Sequence, residues 1–103
     1  MTKPFAALTV DGVAALPAHL GVFELADADG TVRRIGYAGG RESFGVRSAL
    51  LPFVDRYASF RWESTTAYLT RWNELVMVHI ADHGDVPPDQ PEPSGRFGRL
   101  SPS

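Results

Sequence analysis

The stretch LPAHLGVFELADADGTVRRIGYAGG, residues 16–40, decides the fold. Two apolar runs flank Asp27-Ala28-Asp29-Gly30. Its aspartates can bond their own backbone and its glycine accepts a positive φ, as a tight turn demands. Residues 20–26 read as a strand, with Phe23 and Leu25 on one face and Val22 on the other, because successive side chains alternate. Residues 31–37 read as the returning strand, rich in the β-branched Thr31, Val32 and Ile35. The two make a hairpin, and Ala38-Gly39-Gly40 ends its regularity.

Working outward, residues 9–16 have the pattern of a short helix capped by Thr9 or Asp11 and stopped by Pro17. Downstream, Phe44, Val46, Leu50, Leu51 and Val54 recur at helical spacing, with Pro52 placed to kink or end that helix. Residues 57–63 set Phe60 and Trp62 on opposite parity from Ser59, Arg61 and Glu63, which fits a third strand. Thr65 and Thr66 offer a cap to a long helix running to His83 and closed by Gly84. Beyond Val86, PPDQPEPSGRFGRLSPS is proline-rich and almost without core-forming residues, the composition of a mobile tail. The expected architecture is α+β, a small three-stranded sheet flanked by helices. Residues 1–86 form the domain, with its core over 16–86, and 87–103 form a disordered extension.

A chain of 103 residues supports one domain, and its 44% apolar and 21% charged content is that of a globular protein. The absence of cysteine excludes disulfides and thiolate metal sites. No apolar run approaches the roughly 20 residues of a membrane span, and no signal peptide is legible, so the cytoplasm is the expected compartment. The net charge of −2 means that any nucleic-acid contact needs a local basic patch. Nine of the ten basic residues are arginine; Arg33, Arg34, Arg41, Arg47 and Arg61 are the candidates for such a patch.

Leu16-Pro17 followed by Gly21-Val22-Phe23 in one strand, and Arg34-Ile35-Gly36 in the next, resembles the paired tripeptides of the GIY-YIG nuclease domain. Arg47 within FGVRSALLPF, Glu74 eight residues after Thr66, and Gln90 after the last helix stand where that family has an arginine, a glutamate and a closing asparagine. The resemblance implies a metal-dependent endonuclease site. In it Arg47 grips the scissile phosphate, Glu74 anchors one Mg²⁺ or Mn²⁺ ion, and a tyrosine activates water. Phe23 and Arg34 replace both signature tyrosines, and phenylalanine cannot move a proton. Tyr37 is then the substitute phenol. The resemblance therefore implies binding of the nucleic-acid phosphate backbone through Arg34, Arg41 and Arg47, with weak or no cleavage. The alternative is a non-catalytic protein-interaction module that kept the fold and lost the site.

Two further features have chemistry of their own. Tyr68, Leu69, Trp72, Leu75, Val76 and Ile80 form an apolar stripe on the last helix, and Glu74 falls on the opposite side. His79 and His83 share a helix face at i and i+4, spacing that suits zinc chelation or packing and capping near a helix C-terminus. The sequence around Gly36 to Gly40 lacks the Lys-Ser/Thr of a phosphate loop.

Overall fold

The structure is a computed structural model that describes residues 1–91. Ala6–Ala7 forms β1, Gly21–Ala26 β2, Val32–Ala38 β3 and Ser59–Ser64 β4, all antiparallel in the order β1-β4-β2-β3. The sheet thus has four strands where the sequence predicts three. The added strand is two alanines paired with Phe60 and Ser59. A strand that short has no alternation to read, and pairing alone creates it. The turn between β2 and β3 forms as expected: Asp27 Oδ1 accepts from the amides of Asp29 and Thr31, and Gly30 takes φ 87°.

All six residues of β2 are buried, because helices cover both faces of the sheet. On one face lie α1 (Val10–Ala14), α2 (Val46–Leu50) and a 3-10 turn (Leu51–Phe53). There Val13, Phe23, Leu25, Val46, Leu50 and Phe60 make the larger core. On the other face α3 (Tyr68–His83) packs Leu75 and Val76 against Val22 and Ile35. Thr9 caps α1, its hydroxyl accepting from the Gly12 amide at 2.9 Å. The single helix expected over residues 44–54 divides at Pro52, which has no N–H to continue the α ladder. Gly84 closes α3 at φ 84°, its amide bonded to the Ile80 carbonyl. Among the described residues no helix is long and apolar enough to cross a membrane.

The even positions of β2 face α3, and one of them is Glu24, only 6% exposed. Opposite it on β4 stands Arg61, whose Nε lies 2.6 Å from Glu24 Oε1. The Arg61 guanidinium also donates to the Lys3 carbonyl and lies 4.4 Å from the centre of the Phe5 ring. An acid on a buried strand face is tolerated here because its charge is met at once by a hydrogen-bonded cation.

The packed chain continues past Val86, where the sequence sets the domain boundary. Pro87 is fully buried. The Asp89 amide donates to the Arg33 carbonyl, and its carboxylate accepts two bonds from Arg33 and one from the Tyr57 hydroxyl. The Gln90 side chain accepts from the Ile35 amide and donates to the Ile35 carbonyl, both at 2.8 Å. Prolines read as a tail because no apolar periodicity marks them; polar bonds to the outer strand are what hold them. The rest of the extension expected to be disordered, residues 92–103, lies outside the described residues.

The hydrogen bonds from Arg33, then Tyr57, hold the Asp89 carboxyl below its ordinary value. A depressed folded-state value stabilises above the unfolded carboxylate value of about 4, and that contribution is lost as pH falls through the lower folded value. Asp89→Asn is therefore expected to lower Tm at neutral pH and to flatten the acid arm of the Tm-against-pH profile. An unchanged acid arm would show that this clamp contributes nothing to the fold.

Candidate functional site

Where β3 leaves the sheet, its last residues, the loop before α2 and the 3-10 turn enclose an open cleft of about 300 Å³. Phe23, Arg34, Tyr37, Glu42, Phe53, Trp72 and Gln90 are among the residues that line it. Its floor exists because Gly36 has no side chain. Phe23 pairs with Gly36 across the strands, and a Cβ there would fall 2.5 Å from the Phe23 ring. Gly21 is similarly required by the close approach of the Glu63 carbonyl on β4.

The arginines divide into two groups. Arg33 is neutralised by Asp89 and Asp27, Arg61 by Glu24, and Arg71 by Glu63 and Glu74. The forked bond from Arg71 holds the Glu63 carboxyl below its usual value. Arg34, Arg41, Arg47 and Arg56 have no carboxylate within ion-pair distance among the described residues. Arg34 and Arg56 converge on the ring of Phe53, at 4.7 Å and 5.3 Å from its centre. Arg47 lies 5.1 Å from the Phe44 ring, with its Nε buried and unbonded. Charge follows this division: residues 39–57 carry three arginines against two carboxylates, and residues 68–85 one arginine against three.

The other wall of the cleft is aromatic. Tyr37 stacks on Tyr68 with ring centres 5.6 Å apart and planes 23° from parallel, and meets Trp72 edge-on at 5.7 Å. Tyr68 is itself seated on Gly39, where a Cβ would fall 2.7 Å from its ring, and accepts a long bond from the Gly40 amide. Trp72 donates its Nε1–H to the Ile35 carbonyl. With both supports held, Tyr37 nevertheless stays 42% exposed.

Of the residues singled out in the sequence, Arg34 and Tyr37 line this cleft, while Arg47, Glu74 and Arg41 are not among its lining residues. Glu74 is on α3, more than half exposed and bonded at 3.1 Å to Arg71. A metal needs several oxygen donors at one point, and the Glu74 carboxylate is shared instead with a guanidinium. Among the described residues no group of three or more His, Asp or Glu side chains is placed to hold a metal ion. The donor set does not fit the Mg²⁺ or Mn²⁺ that the resemblance implies. His79 and His83 bring their ring centres to 4.3 Å, with His79 Nδ1 3.0 Å from the Asp85 carbonyl. Of the five-arginine patch, Arg33 and Arg61 are spent on carboxylates. Arg56, which the sequence does not single out, stands instead beside Arg34 on the Phe53 ring.

A sequence-family model described as a domain of unknown function (DUF7508) matches residues 1–82. No GIY-YIG model matches, which overturns the resemblance carried by Gly21-Val22-Phe23 and Arg34-Ile35-Gly36. Packing accounts for those residues: Gly21 admits a neighbouring carbonyl and Gly36 admits the ring of Phe23. No curated protein and no solved structure matches the chain.

Proposed function

Starting from the fact that the chain belongs to the DUF7508 family, a domain of unknown function, we propose that it binds the phosphate backbone of nucleic acid, with little or no cleavage. The observation that supports this is the pair of guanidiniums on Phe53 with no carboxylate within ion-pair distance among the described residues, Arg34 lining the cleft and Arg56 on the same ring though not among the lining residues. A guanidinium stacked on a ring keeps its fork of N–H donors, and that fork matches phosphate oxygens. Two like charges on one ring repel, and among the described residues only Arg56 is felt by a carboxylate, that of Asp89, so an anionic partner at Arg34 is favoured. Weak or absent cleavage is supported by Tyr37 lining the cleft while Arg47 and Glu74 are not among its lining residues.

The test is fluorescence anisotropy of a labelled oligonucleotide titrated at several salt concentrations. Arg34→Ala and Arg56→Ala are each expected to weaken binding and to reduce the slope of log K against log salt by about one. Binding indifferent to salt and to both substitutions would sink the proposal. A protein-interaction module is the second reading. It is favoured by Phe44 and Leu51, which flank Arg47 and stay 56% and 48% exposed. No oligonucleotide binding even at low salt would decide for it.

A further inference from the structure

We infer that the cleft takes one unpaired base of a single strand, stacked on Tyr37, with an adjoining phosphate on Arg34. The inference rests on the phosphate-binding reading and adds to it what the arginines alone do not say, namely which form of nucleic acid fits. A duplex keeps its bases stacked on one another and offers a protein phosphates and groove edges; only a single strand offers the flat face of a base. A protein that takes single strands needs a cationic groove with an aromatic surface in it.

β3 supplies both, Arg34 toward Phe53 on one face and Tyr37 toward α3 on the other, and the cleft runs round the outer edge of the strand between them. Tyr37 keeps 42% of its surface exposed although Tyr68 lies parallel to it and Trp72 abuts it. Its partners are fixed in turn, Tyr68 by Gly39 and Trp72 by the Ile35 carbonyl. The ring is thus set before any ligand arrives, and little ordering remains to be done on binding. Stacking Tyr37 against a base would extend a pile that already begins with Tyr68.

Charges of both signs line the cleft. Arg34 lies on the Phe53 ring, and Glu42, in the loop that follows β3, also lines the cavity and has no bonded partner for its carboxylate among the described residues. A carboxylate repels phosphate, so the phosphate belongs at Arg34 and the base at Tyr37. An open cleft of about 300 Å³ is at the small end of ligand sites, a size that suits one base.

The experiment compares single-stranded and duplex oligonucleotides of equal length, each as DNA and as RNA, on the full chain. The single strand is expected to bind at least about tenfold tighter than the duplex. Tyr37→Leu should cost the single strand roughly 5- to 150-fold, the measured range for one stacked base, with the salt slope unchanged. Tyr37→Phe, which keeps the ring, should bind as the unmodified chain does. The comparison of single strand with duplex on the unmodified chain needs no variant, so a misfolded Tyr37→Leu does not blunt the test. A duplex bound as tightly as the single strand, or a fully folded Tyr37→Leu of unchanged affinity, overturns this inference and leaves phosphate binding standing. Failure of every oligonucleotide to bind overturns both. A preference between the DNA and RNA single strands supports the inference in either direction and identifies the natural form.

Discussion

Arg61→Ala is expected to destabilise the domain by about 3 kcal/mol, the lower end of what breaking a buried ion pair costs. The lower end applies because the Arg61 side chain keeps 20% of its surface, so some water reaches the site. What the substitution leaves behind matters more than what it removes. Glu24 would remain on a buried strand face, with its charge unmet and Nε, 2.6 Å away, gone. Protonation would relieve the charge but leave a buried carboxyl short of partners. The Lys3 carbonyl and the Phe5 ring would also lose the guanidinium that holds the N-terminal segment across the sheet. For a domain of this length such a loss corresponds to a fall in Tm of roughly 12 °C or more. Urea unfolding would show it as a lower midpoint at unchanged slope. The double substitution Glu24→Leu with Arg61→Leu should recover most of the stability, since removing both charges removes the desolvation cost as well. If Arg61→Ala shifted stability by under about 1 kcal/mol, Glu24 would have to be hydrated rather than buried.

The second large effect is expected at Gly45, where alanine should also cost about 3 kcal/mol. Gly45 precedes α2 at φ 60° and ψ −137°, a combination that side chains with a Cβ rarely adopt. A Cβ there would fall 2.2 Å from the His19 carbonyl oxygen, an overlap that backbone must move to relieve. That carbonyl accepts the Val46 amide at 2.8 Å, so the movement would break the bond that starts α2 and would pull Val46 and Leu50 from the core. Gly40→Ala is the control, because nothing lies within 4 Å of its added Cβ. Comparable losses at both glycines would refute the steric account.

The features that sequence makes legible are those settled by neighbours in the chain. Asp27 to Gly30 encode their turn within five residues, and the alternation of Val22, Phe23 and Leu25 sorts them onto the two faces they occupy. Thr9 and Gly84 mark helix ends by local bonds. Leu69 shows where periodicity misleads, since it belongs to the apolar stripe of α3 yet lies 51% exposed. The candidate site was half legible. Arg34 and Tyr37 are found from the strand they share. Which arginines are free is hard to see locally, because the bonded carboxylate of Arg33, Asp89, is 56 residues away and Arg61 meets Glu24 at a separation of 37. Arg34 and Phe53 come together only when the 3-10 turn brings the ring beneath β3, where Arg56, three residues on, already meets it. The paired tripeptides mislead for a related reason: Gly21 and Gly36 answer to the atoms opposite them, and short motifs do not record what stands opposite.

Gln90 gives Ile35 the donor and the acceptor that another strand would have supplied. One side chain therefore imitates a rung of β-ladder and ends the sheet there, with Asp89 doing the same for the Arg33 carbonyl. At the opposite margin β1 is only two residues long. Exposed strand edges are templates for aggregation, and proteins blunt them by covering or shortening them. This chain does one at each margin, so a sheet built of strands that would otherwise recruit more of their kind stops growing at four.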